Sequence, residues 1–242
     1  MIRTPHLYCA LDTVDLAQAT EWAESLVGTI DGVKLGLEFF CAHGPAGVKA
    51  IQSFGLPIFL DLKLHDIPNT VAGALRAVAP LGVRLITLHA PGGAAMMQAA
   101  ADAIQLGASS AGVAPASIIG VTVLTSLGDE DLAATGQIGP AADQVKRLAE
   151  LSMASGLDGI VCSPHEAAAM RALLGPNALL ITPGIRPSFA SAGDQKRIMT
   201  PAQAVQAGAD ILVIGRPITE ASDPQAAAAA CRAEMLGAAQ AA

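Results

Sequence analysis

The stretch Pro57-Ile58-Phe59-Leu60-Asp61-Leu62-Lys63-Leu64-His65-Asp66-Ile67-Pro68-Asn69-Thr70 decides how the rest of the chain is read. Its first residues form an apolar run bounded by Gly55 and Pro57, the pattern of a buried strand. Side chains alternate across a strand, so Asp61 and Lys63 are expected on one face and Leu60, Leu62 and Leu64 on the other. Charge buried in so apolar a strand is costly unless it is paired. An ion pair at a strand end would account for a lone Asp-x-Lys. Asp66, in the turn that follows, adds a second carboxylate. A lysine between two carboxylates is held cationic and close to anions that repel one another, which suits a proton donor. Pro68 fits the first turn of a following helix, where its missing N–H costs nothing.

Outward from this stretch, short apolar runs alternate with helical stretches from end to end. The strands are expected at Leu7–Leu11, Gly32–Leu37, Ile58–Lys63, Leu85–His89, Ile118–Leu124, Gly159–Cys162, Leu179–Thr182 and Ile211–Ile214. Alternation of this kind builds a parallel sheet with crossover helices. Eight such units read as a closed (β/α)8 TIM barrel, and 242 residues fit one barrel domain over 1–242 with no linker. Ser163-Pro164-His165-Glu166 and Thr200-Pro201-Ala202-Gln203 are capping boxes with proline at the first helical position, and Asp223-Pro224 is a simpler start. Ala108-Ser109-Ser110-Ala111-Gly112 reads as a surface loop before the fifth strand, and the alanine-rich run from Ala226 as a helix.

Barrel active sites form at the C-terminal ends of the strands. Asp12 follows the first strand, Lys34 lies in the second, and Asp61 and Lys63 end the third. Asp12 alone would serve equally as a helix cap near Asp15. Lys34, flanked by Val33 and Leu35, would be buried without a partner unless acids reach it from neighbouring strands. An alternating Asp/Lys network across the first three strands satisfies all four residues. His89 ends the fourth strand and is expected to support the site from behind, while His65 is expected to be an exposed loop residue. Thr125 and Ser126 follow the fifth strand, where hydroxyls can bond a planar heterocycle or simply make a turn. The polar loop from Pro183 to Arg197 has the length and place of a lid. Loops after the seventh and eighth strands are the usual phosphate site of such barrels. Gly215 would let the backbone approach an oxyanion, and Arg216 offers a planar fork of donors.

Composition narrows the function further. Hydrophobic residues make up 52% and charged residues 14%, so any charge inside a strand is informative. A net charge of −7 with 3% aromatic residues argues against a nucleic-acid surface, which needs basic patches and stacking rings. An anionic small molecule remains open, since a phosphate needs only a local site. Cys9, Cys41, Cys162 and Cys231 lack metal or redox spacing, Cys9 and Cys162 fall in apolar runs, and a reducing cytoplasm is the expected compartment. No cluster of His, Asp and Glu has catalytic metal spacing, and no run approaches the length of a membrane span.

The run Asp-Leu-Lys-Leu-His-Asp-Ile-Pro-Asn-Thr at 61–70 resembles the signature of the orotidine 5'-phosphate decarboxylase family in its bacterial form. The resemblance runs from about Leu7 to about Glu220, with motifs in the expected order. It implies decarboxylation of orotidine 5'-phosphate (OMP) to uridine 5'-phosphate (UMP) in pyrimidine biosynthesis, with no cofactor and no metal. Lys63, Asp61, Asp66 and Lys34 would be the catalytic residues, with Lys63 donating the proton. Asp12, Lys34, Asp61, Thr70, Thr125, Arg186, Gln195, Gly215 and Arg216 would bind substrate, Asp12 and Lys34 at the ribose and Gln195 and Arg216 at the phosphate. It further implies a homodimer in which Asp66 and Thr70 reach the partner's site; Ile67 and Pro68, apolar residues in a turn at the barrel mouth, would suit that interface. The shorter motif Asp-x-Lys-x-x-Asp is shared with Mg2+-dependent phosphosugar decarboxylases and synthases of the same superfamily. The Ile-Pro-x-Thr continuation favours the first reading.

Overall fold

In the computed structural model, which describes residues 4–189 and 199–240, the apolar runs form the strands β1 (His6–Ala10), β2 (Gly32–Gly36), β3 (Ile58–Leu64), β4 (Leu85–His89), β5 (Ser117–Val121), β6 (Gly159–Val161), β7 (Leu179–Thr182) and β8 (Ile211–Ile214). Each pairs in parallel with its sequence neighbour, and β8 pairs with β1 to close the barrel. The expected fold class is therefore observed. Helices α1 (Leu16–Leu26), α2 (Leu37–Gln52), α3 (Pro68–Val78), α4 (Ala94–Ala111), α5 (Asp129–Ala134), α6 (Ala141–Ala154), α7 (Ala167–Leu174), α8 (Pro201–Gln206), α9 (Arg216–Thr219) and α10 (Pro224–Gln240) connect and follow the strands, two of them between β5 and β6.

The local signals act as chemistry requires. Asp15 caps α1, its carboxylate accepting from the N–H groups of Ala17 and Gln18. Ser163 and Thr200 form their capping boxes, Asp223 accepts from Ala226 N–H, and Pro68 opens α3. Two expectations need correction. Ala108–Ala111 are not a loop: α4 runs through them and stops at Gly112, whose left-handed backbone (φ 68°) closes the helix by bonding back to Ala108 and Ser109. The fifth strand ends at Val121, not Leu124, because buried Thr122 turns its hydroxyl onto the Val161 carbonyl, 3.0 Å away, and the chain leaves the ladder there.

Alternation along the strands produces two apolar layers. Tyr8, Ala10, Phe59, Leu85, Ile119, Ile181, Ile211 and Val213 fill the barrel interior. The opposite parity, including Leu7, Cys9, Leu35, Leu60, Ile86, Ile118 and Leu212, packs outward against the helices. At the N-terminal end, Asp31, Asp158 and Asp210 each stand just before an even-numbered strand and accept the N–H of Leu7, Ile118 and Leu180 on the preceding odd strand. These carboxylates satisfy backbone donors at one end of the barrel and leave the other end open for chemistry. Cys9, Cys162 and Cys231 are buried free thiols whose ionisation is pushed up chiefly by burial, while Cys41 is exposed. Among the described residues no helix is long and apolar enough to cross a membrane.

Candidate active site

Register places the charged layer directly above the apolar one. Lys34 pairs in register with Ala10 on one side and Phe59 on the other, both interior residues, and Gly36 pairs with Asp61. Lys34 and Asp61 therefore continue the inward-facing rows of their strands. Lys34 Nζ lies 2.8 Å from Asp12 Oδ1 and 3.9 Å from Asp61 Oδ2, and Lys63 Nζ lies 2.7 Å from the same Asp61 oxygen. The four side chains form the alternating series Asp12–Lys34–Asp61–Lys63. The side chains of Lys34 and Asp61 are each only 12% exposed, so each charge has its counter-charge where water is scarce. Glycine at 36 is what makes room: a Cβ there would lie 2.9 Å from the Lys34 ammonium and 3.3 Å from Asp12.

Lys63 departs from simple alternation. Among the described residues it is the one non-glycine with a left-handed backbone, at φ 49°. The pairing of β3 with β4 slips here: Leu60 pairs with Ile86 but Leu64 with Leu88, so four steps on β3 match two on β4. Bulges of this kind re-aim side chains beside active sites. Opposite the bulge is fully buried Thr87, whose Oγ1 accepts from Lys63 N–H at 2.9 Å and donates to Asp61 Oδ1 at 2.8 Å.

A cavity of about 240 Å³ opens beside this series. Lys34, Asp61 and Lys63 line one wall, apolar Phe59, Val121, Val161, Ile181 and Val213 form much of its lining, and Thr125 and Pro183 also line it. It pairs an apolar wall able to take a flat ring with opposed charges at one edge. His89, half-buried, has its ring 5.7 Å from that of exposed His65. Burial, aided by the neighbouring His65 ring and the Lys63 ammonium, pushes the His89 pKa below the ordinary imidazole value and favours its neutral form.

Other expected residues stand further out. Asp66 and Thr70 are exposed in the turn and first residues of α3, and the Asp66 carboxylate accepts from Ile67 N–H and joins no ion pair among the described residues. Lys63 is thus not flanked by two carboxylates of a single chain. Ile67 beside it is 67% exposed. Arg186 is buried after β7, donating to the Ile185 carbonyl, and its N–H bonds Met199 across the loop's base. Gly215 caps α9 at the end of β8, and Arg216 is exposed as the first residue of that helix. Gln195 lies outside the described residues, as does the expected lid from 190 to 197. Two residues of the site were not anticipated. Gly36 carried no signal beyond its place after Lys34. Thr87 was detectable only as a hydroxyl at inward parity in the apolar run Leu85-Ile86-Thr87-Leu88.

Comparison with known proteins converges on one family. Residues 5–231 match the model of the family described as orotidine 5'-phosphate decarboxylase / HUMPS. The chain is 55% identical to the orotidine 5'-phosphate decarboxylase of Paramagnetospirillum magneticum, over 95% of this chain and 97% of that one. It is 53% identical to the enzyme of the same name from Rhodospirillum rubrum, over 96% and 94% of the two chains. Among solved structures it resembles orotidine 5'-phosphate decarboxylase from Lactobacillus acidophilus, with a TM-score of 0.84 at 38% identity, covering 96% of this chain and 99% of that one.

Proposed function

The chain belongs to the orotidine 5'-phosphate decarboxylase / HUMPS family, and on that premise we propose that it decarboxylates OMP to UMP in pyrimidine biosynthesis, using its own Asp/Lys network and no cofactor. The observation that carries this reading is the series Asp12–Lys34–Asp61–Lys63, whose last three members line a cavity otherwise largely apolar. Loss of CO2 from C6 of the pyrimidine leaves an electron pair in an in-plane orbital that the ring cannot delocalise. Fixed charge is what a protein can supply against that problem. Lys63 stabilises the developing carbanion and protonates it. Asp61 stands beside the departing carboxylate, where repulsion raises the ground state, and it holds the Lys63 ammonium in place.

Lys34 and Asp12 bind the ribose hydroxyls, and Thr125 bonds the base. Arg186, Gln195, Gly215 and Arg216 bind substrate, with Gln195 and Arg216 on the phosphate. Binding energy from that remote group orients the reacting carbon. The enzyme acts as a cytoplasmic homodimer, each site completed by Asp66 and Thr70 of the other subunit. Exposed Ile67 in the same turn supports an interface there. The deciding experiment follows the loss of OMP absorbance with purified protein in the presence of a chelator. Sustained turnover supports the reading. Turnover of a phosphosugar that the chelator abolishes would point instead to the Mg2+-dependent branch of the superfamily.

A further inference from the structure

We propose that Thr87 is a positioning residue whose one hydroxyl sets the places of both Asp61 and Lys63. The inference rests on the decarboxylase reading and deepens it. A left-handed backbone at a residue with a side chain costs free energy and persists only where the surroundings hold it. At Lys63 the slip in pairing between Leu60 and Leu64 takes the chain off the ladder, and the N–H of Lys63 finds the Thr87 hydroxyl at 2.9 Å. That hydroxyl has one proton to give. The amide can only donate, and Asp61, beside two ammonium groups, accepts, so the proton goes to Asp61 Oδ1 at 2.8 Å. The other Asp61 oxygen is thereby left to the two lysines. Thr87 is fully buried, with no exposed surface through which water would replace it. It is not among the residues that line the cavity, so it acts on the reaction through its two neighbours.

The test compares Thr87→Val, which keeps the shape and removes the hydroxyl, with Thr87→Ser, which keeps the hydroxyl. Misplacing a reacting group by about 1 Å costs on the order of 10²-fold, so kcat for OMP should fall by about that factor in Thr87→Val. KM should change little, because phosphate and ribose contacts lie elsewhere. Thr87→Ser should recover most of the lost kcat. Amide exchange adds a readout that needs no substrate: the Lys63 N–H should exchange faster in Thr87→Val and stay protected in Thr87→Ser. If Thr87→Val does not fold, Thr87→Cys takes its place, because a thiol bonds only weakly. A hydroxyl-free variant with kcat within about twofold of wild type, or equal kcat losses in the hydroxyl-free and serine variants, overturns the proposal. Wild-type protein inert toward OMP overturns the decarboxylase reading and this inference together; an active wild type with an unaffected hydroxyl-free variant overturns this inference alone.

Discussion

Lys63 Nζ and Asp61 Oδ2 are 2.7 Å apart although their residues are separated by a single leucine on a bulged, left-handed turn of β3. The contact keeps the ammonium at the cavity edge and holds a carboxylate against it. Substitution there tests the chemistry directly.

Lys63→Ala should abolish nearly all turnover of OMP while UMP still binds. Loss of a general acid costs on the order of 10²–10⁴-fold, and loss of charge stabilisation in the transition state adds to it. The measurement is kcat beside a UMP titration; a variant retaining more than about a tenth of wild-type kcat would remove Lys63 from the proton-donor role.

Arg216→Ala should raise KM and also lower kcat, because phosphate binding energy is used to orient the reacting carbon. Comparing OMP with the phosphate-free nucleoside isolates the contact. Equal losses of kcat/KM on both substrates would show that Arg216 serves something other than the phosphate.

Mixing two inactive variants tests the shared site. Lys63→Ala and Asp66→Asn are unfolded together and refolded. Random pairing makes about half the dimers mixed, and each mixed dimer has one site with intact Lys63 from one chain and intact Asp66 from the other, so roughly a quarter of wild-type activity should return. Activity that stays at the level of the separate variants at every mixing ratio would mean Asp66 serves its own subunit.

Asp31→Asn probes the closed end of the barrel. Burial pushes the Asp31 pKa up, but the His6 ring 3.8 Å away, the hydrogen bond from the Leu7 N–H and the Arg232 guanidinium outweigh it and hold the group at about 2, below its ordinary 3.8. A carboxylate with a depressed folded-state pKa adds stability that is present above its ordinary pKa and lost as pH falls through the folded value. The stability gap between wild type and Asp31→Asn should therefore be full above pH 4 or so and shrink toward pH 2. Arg232 lies 3.0 Å away and the pair is partly exposed, so the gap is about 1 kcal/mol or less. His6, whose pKa is raised chiefly by the Asp31 carboxylate 3.8 Å away, should titrate at lower pH in the variant. Thermal unfolding against pH and the His6 NMR titration measure both; a His6 pKa that does not move would break the proposed coupling.

The barrel was legible because its signals are local. Apolar runs of strand length, caps at Ser163, Thr200 and Asp223, and proline at 68 act within a few residues of themselves. Barrel sites form at the C-terminal ends of the strands, and Asp12, Lys34, Asp61 and Lys63 all fall at or near such ends, so the chain order alone assigns them to one mouth. Alternation alone did not contain the bulge at Lys63, because that depends on how β3 registers against a strand more than twenty residues away. For the same reason Thr87 looked like one polar residue in an apolar run, and Leu124 looked like strand until the Thr122 hydroxyl was seen to take the Val161 carbonyl. Residues 108–111 read as loop because serines beside a glycine suggest a turn, yet α4 carries them to its left-handed stop at Gly112. The residue types at the mouth are a property of the chain; which atom of Asp61 faces Lys63 and which faces Thr87 is decided only when three strands close side by side and every buried donor has to find an acceptor.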